Sequence, residues 1–154
     1  MHVILIRHAH AEDGENDAAR PLSPKGRRQA RALARLLRAA EAFDAGEIWH
    51  SPLVRARQTA ALLVQRLGTK APLREVGGLR PGDDPAATAR RLGDARRPVA
   101  VVGHDPHLSE LATLLVTDRV APLRFKLKKG AALRLDRTAG GWVVRWLVTP
   151  DLAG

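Results

Sequence analysis

The chain has 154 residues, 45% of them apolar, with 26 lysines and arginines, 16 aspartates and glutamates, and no cysteine. That length and apolar content suit one folded domain over 1–154 and exclude disorder, while the missing cysteines exclude disulfides, thiolate metal sites and cysteine nucleophiles. A formal charge of +10 admits an anionic substrate or partner; the first apolar run, Val3 to Ile6, is too short for a signal-peptide core or membrane span, so a cytoplasmic protein is expected.

HVILIRH, from His2, reads as a buried strand of β-branched and apolar residues. A polar loop follows. Ser23 suits a helix cap and Pro24 the first turn, where a missing N–H costs nothing, so RPLSPKGRRQARALARLLRAAEAF predicts a helix. Its Arg27, Arg28, Arg31, Arg35 and Arg38 share the segment with Ala30, Leu33, Ala34, Leu37 and Ala40 at helical spacing, which makes the arginines a solvated face rather than a nucleic-acid patch. GEIWHSP predicts a short strand stopped by Pro52. LVRARQTAALLVQRLG predicts a helix with Leu53, Ala56, Ala60, Leu63 and Leu67 on one face and Gly68 beyond its end. APLREVGGLRPGDDP is irregular, with a brief strand at Leu73 to Val76, and PAATARRLGDA is a short helix. RPVAVVGHDP holds the clearest strand, Val99 to Val102, ending at Gly103; HLSELATLLV returns to helix. RFKLKKGAALRLD and GWVVRWLV alternate around Ala139-Gly140-Gly141 and predict an antiparallel hairpin, with Trp142 and Trp146 on one strand face.

Alternating strands and helices predict an α/β fold of three layers: a mostly parallel sheet, helices on both faces, and an antiparallel C-terminal edge hairpin. Functional groups of such a sheet collect beyond the carboxyl ends of its strands. Arg7 and His8 end the first strand, His104 ends the strong later one, and Ser51 and Arg55 follow the second, so these positions meet at one edge. Two histidine pairs, His8 with His10 and His104 with His107, invite a metal reading. Arg7 and Arg55 oppose it: at about 4 Å each guanidinium repels a cation by roughly 4 kcal/mol at an effective dielectric near 20. The same charges suit a phosphoryl group, whose oxygens match arginine forks and the helix start near Leu53. A neutral imidazole there can attack phosphorus, and a second, if cationic, can hydrogen-bond the equatorial oxygens. Neither a metal nor another cofactor is expected.

LIRHAHA, SPLVRARQTA and VVGHDP, in that order, with RPLSPKGRRQA before the first helix, resemble the histidine phosphatase superfamily, the phosphoglycerate mutase-like phosphatases of branch 1. The small size and the GLRPGDDP segment are most similar to SixA phosphohistidine phosphatases. The resemblance covers nearly the whole chain. It implies that His8 is the phosphorylated nucleophile and that Arg7, Arg55 and His104 bind the phosphate, with Arg20, at a position close to the pocket, as a further phosphate-binding residue ranked below them. Ser51 is read as a strand-terminating turn residue. Two positions depart from the family pattern. Ala9 replaces the motif glycine, which matters if that backbone needs a positive φ. Gly78 stands where mutases carry an acid, leaving Glu12, Asp13, Glu75, Asp83 and Asp84 as alternatives. A weak P–N bond needs a proton donor less than an ester does, so the missing acid favours a phosphatase acting on phosphohistidine.

The expected partner is therefore a phosphorylated protein, such as a histidine-phosphotransfer domain, or a small phosphorylated metabolite. Sugar or nucleotide phosphates are the alternative substrates, and a noncatalytic protein binding nucleic acid or an acidic partner is the alternative class. His2 and His10 are read as solvated, His50 as facing a strand neighbour or solvent, and His107 as part of a helix's first turn.

Overall fold

A computed structural model describes residues 1–150. Strand β1 (His2–Arg7) carries no formal charge before Arg7 and is followed by a loop and a short 3-10 turn at Asp17–Ala19. Helix α1 (Pro24–Ala39) starts where the sequence places it: the Ser23 hydroxyl accepts the Gly26 N–H, and Pro24 occupies the first turn. The remaining elements are β2 (Glu47–His50), α2 (Val54–Leu67), β3 (Leu73–Glu75), α3 (Pro85–Asp94), β4 (Val99–Gly103), α4 (His107–Thr117), β5 (Ala132–Thr138) and β6 (Gly141–Val148). No helix among the described residues is long and apolar enough to cross a membrane.

The six strands form one sheet in the order β3-β2-β4-β1-β5-β6. β3, β2, β4 and β1 are parallel; β5 and β6 extend the sheet antiparallel. Alternation along the central strands splits the interior into two cores. Ile4, Ile6, Ile48, Ala100 and Val102 face α1 and α2, through Leu33, Leu37, Ala60 and Leu63. Val3, Leu5, Trp49, Val99 and Val101 face α3 and α4, through Leu92, Leu108 and Leu111. β1 and β4 are buried on both sides, which is why each reads as an unbroken apolar run. Each fully buried leucine contributes about 2 kcal/mol of transfer free energy.

Three expectations are corrected. RFKLKK is not a strand: β5 begins only at Ala132. Its backbone serves β1 instead, since Leu127 O accepts from the Arg7 guanidinium at 2.7 Å and Gly130 N–H donates to Arg7 O and His8 O at 3.1 and 3.2 Å. Gly130 has φ +78°, a turn conformation that glycine adopts without strain. Trp142 and Trp146 do not share a face. Arg134 pairs Trp146 while Leu135 pairs Val144, so Arg145 is an extra residue, a β-bulge that reverses the alternation. Trp142 packs on the α3–α4 core and Trp146 on the α1–α2 core. His2 is buried, with Nε2 2.7 Å from the Asp44 carboxylate.

Candidate active site

The carboxyl ends of β1, β4 and β2 lie side by side, and the ladder continues past them: His8 N–H donates to Gly103 O at 2.9 Å and Ser51 N–H to Val102 O at 3.2 Å. His8 and His104 therefore emerge from neighbouring strands with ring centroids 5.0 Å apart. Arg55, in the first turn of α2, is 5% exposed. Its guanidinium donates to Asp17 O at 2.9 Å and to Asp17 Oδ2 at 3.3 Å. Thr59 links this helix to the first loop, donating to Arg55 O at 2.7 Å and accepting Ala9 N–H at 3.1 Å.

The two imidazoles are held differently. His8 Nδ1 lies 2.7 Å from Ala9 O. A carbonyl only accepts, so Nδ1 carries the proton and Nε2 is left with its lone pair. Burial pushes the His8 pKa down to about 4, with Arg55, Arg7 and Lys129 acting the same way and the Ala9 hydrogen bond opposing them. His104 Nε2 lies 2.5 Å from Ser51 Oγ. Burial, then His8, Arg55 and His107, hold its pKa near 3. Both rings are thus neutral at pH 7.

Around the rings stand further cations. Arg7 is fixed by Leu127 O, with Asp105 Oδ2 3.9 Å away. Asp105 is itself held by the Ser109 N–H and hydroxyl, at 3.0 and 2.8 Å. Arg20 reaches Glu12 O at 2.8 Å and Asp17 Oδ1 at 3.0 Å, so Asp17 bridges Arg20 and Arg55 at the rim. Those contacts, the Arg20 hydrogen bond foremost, hold the Asp17 carboxyl below its ordinary range. Lys129 precedes Gly130; burial and the charges of Arg7, Arg20, Lys25 and Arg55 lower its pKa.

The structure brings together Arg7, His8, Arg55 and His104, with Arg20 at the edge. Ala9 has no positive φ and its methyl is buried against Leu22 and Ala30, so alanine fits where the family pattern has glycine. Gly78 has φ +85° and forms a turn. Asp83 accepts the Arg80 N–H and Asp84 caps α3, committing both carboxylates to local structure; Glu12, Asp13 and Glu75 are exposed. His10 Nδ1 lies 2.6 Å from Ser23 Oγ, turned to α1 instead of solvent. Buried His50 hydrogen-bonds Ser51 O at 2.9 Å, and His107, in the first turn of α4, lies 3.2 Å from Thr88. Among the described residues no three His, Asp or Glu side chains converge as a metal-ligand set.

Sequence reasoning gave Ser51 to turn geometry and missed its bond to His104. It missed Asp17, which lies in a turn without periodicity. Lys129 was hidden by the strand reading of its segment.

A parallel sheet that gathers cations around two neutral imidazoles at its carboxyl edge is suited to holding an oxyanion. Residues 3–81 match the histidine phosphatase superfamily (branch 1), and the chain belongs to that family. It is 36% identical over 148 residues to an uncharacterized protein of Mycobacterium tuberculosis, covering 89% of each chain. The fold is similar to that of the protein histidine phosphatase SixA complexed with tungstate, with a TM-score of 0.88 at 23% identity over 100% of both chains. It is also similar to the alpha-ribazole phosphatase from Shigella flexneri, with a TM-score of 0.78 at 18% identity over 97% of both.

Proposed function

We propose that this chain is a metal-independent phosphatase that works through a phosphohistidine intermediate on His8 and acts, as SixA-type enzymes do, on phosphohistidine carried by a protein. The observation that carries the reading is the His8 ring: with Nδ1–H given to Ala9 O at 2.7 Å, a neutral Nε2 is free to attack.

The chemistry closes in two displacements. Nε2 of His8 forms a bond to phosphorus as the substrate's P–N bond breaks, and the departing imidazole takes up a proton. Water then attacks the phosphorylated His8, the new P–N bond breaks, and inorganic phosphate leaves. Arg7 and Arg55 offer forked donors to the equatorial oxygens, and Lys129 adds a point charge. Ser51 Oγ accepts the Leu53 N–H at 3.3 Å, so its own proton can go to His104 Nε2. That puts the His104 proton on Nδ1, a buried atom with no partner among the described residues and a donor for oxygen. Arg20 acts one step out, setting Asp17 and so Arg55. An imidazole leaving group asks little of a general acid, which agrees with Gly78 at the acid's place and with Asp83 and Asp84 tied to their own loop.

A rapid-quench experiment with a labelled phosphohistidine donor tests this. Acid-labile, alkali-stable label is expected on the wild type and not on a His8→Ala chain that keeps its fold. Label on the variant, or turnover by it, refutes the assignment. The likeness to a ribazole phosphatase favours small phosphomonoesters as the second reading; an ester preferred by orders of magnitude over phosphohistidine would select it.

A further inference from the structure

Charge is segregated between the two helical layers. α1 carries six cations and α2 three, and neither has an aspartate or glutamate. α3 and α4 together carry two arginines, one aspartate and one glutamate. An arginine-rich composition alone would not keep carboxylates out of both helices of one layer while balancing the helices of the other.

On α1 the charges are also ordered. Lys25, Arg28, Arg31, Arg35 and Arg38 recur every three or four residues, so they form one stripe about 20 Å long. All five are exposed, and none is ion-paired among the described residues. Like charges so spaced repel one another, and the helix gains nothing from them by itself. Arg31, Arg35 and Arg38 share with Arg66 of α2 a groove of about 600 Å³ with Ala39 in its wall. A second groove of about 580 Å³ runs on past Arg28 to Lys25.

The stripe ends at the pocket. Gln29 accepts the His10 N–H at 2.8 Å, and its Cβ packs against Gly130, the residue bonded to His8 O. Lys25 is near enough to Lys129 to act on its charge. His8 itself is only 6% exposed, so a phosphoryl group borne by a macromolecule must be presented by a surface lying on the rim.

We infer that the α1 stripe is the docking surface for an acidic protein, whose carboxylates lie along Arg28, Arg31, Arg35 and Arg38 while its phosphoryl group enters the pocket. This rests on the proposed function for the identity of that group. A protein is favoured over nucleic acid because neither α1 nor α2 carries an aromatic residue on which bases could stack. Alanine and the aliphatic stems of the arginines line the grooves instead.

The test uses a fluorescent helical peptide with glutamates along one face and one histidine, its counterpart with glutamine for every glutamate, and a DNA duplex of similar length. Binding of the unphosphorylated peptides is read by anisotropy, whether or not any turnover occurs. The acidic peptide is expected to bind about tenfold tighter than the neutral one at low salt, and R31E/R35E/R38E to erase the difference. R90E/R119E, on and just after the opposite helices, is expected to keep it. Equal binding of the two peptides, a preference that survives the α1 reversals, or a duplex held more tightly than the peptide would each overturn the inference. With the phosphorylated peptides, the preference is expected in kcat/KM, while activity on free phosphohistidine stays within twofold in the α1 variant. Retained acidic-peptide binding without hydrolysis of either phosphopeptide would refute the phosphohistidine reading and leave the docking surface standing.

Discussion

Two imidazoles kept neutral by burial make the fold sensitive to mild acid. The unfolded chain protonates each near pH 6.5, whereas the folded chain holds His8 at about 4 and His104 at about 3. Between these values the unfolded state binds more protons, so stability rises with pH up to about 6.5 and is lost as pH falls below it. At pH 5 both folded rings remain neutral, and each has cost about 2 kcal/mol relative to pH 7. Together they cost about 4 kcal/mol, a large part of the stability of an ordinary domain. His2 and His107, also held below the ordinary histidine value, first by burial, act in the same direction. Urea unfolding at pH 7, 6 and 5 measures the loss directly. His8→Asn and His104→Asn should each remove about 2 kcal/mol of the loss between pH 7 and pH 5. A double variant with the full wild-type slope, or a wild type equally stable at pH 7 and 5, would refute the reasoning.

Ser51→Ala leaves His104 Nε2 buried and unpaired; about 2 kcal/mol of stability should be lost in urea melts, with kcat falling more than KM rises. Ala9→Gly restores the family's motif but removes a methyl buried against Leu22 and Ala30, so it should cost about 1 kcal/mol in the same melts without raising kcat. Lys129→Ala should raise KM for a small phosphate ester severalfold in steady-state assays, with little change in the melting temperature.

The central fold was legible because two-sided burial writes itself into β1 and β4 as plain apolar runs, and because Ser23, Pro24 and Gly68 mark helix ends by local chemistry. The meeting of Arg7, His8, Arg55 and His104 followed from topology alone: parallel strands put distant carboxyl ends on one edge. The bond from Ser51 to His104 depends on the exact juxtaposition of β2 and β4, which no local pattern encodes. Lys129 shows the reverse error. Alternation in RFKLKK does place Phe125 and Leu127 against the core, yet the backbone there is spent on Arg7 and His8 instead of a ladder. Periodicity reports which side chains go inward, not which hydrogen bonds the chain makes.

The extra residue in β6 has a consequence beyond the placement of two tryptophans. β6 is an outermost strand, and Val143, Val144 and Leu147 are each nearly half exposed along it. A flat margin of that composition would invite a neighbouring molecule to add its own strand and extend the sheet without limit. The bulge breaks the regular spacing of the margin in the middle of this apolar stretch and sets the exposed, charged Arg145 there. One inserted arginine thus both seals the two interiors with separate indoles and blunts the border at which aggregation would begin.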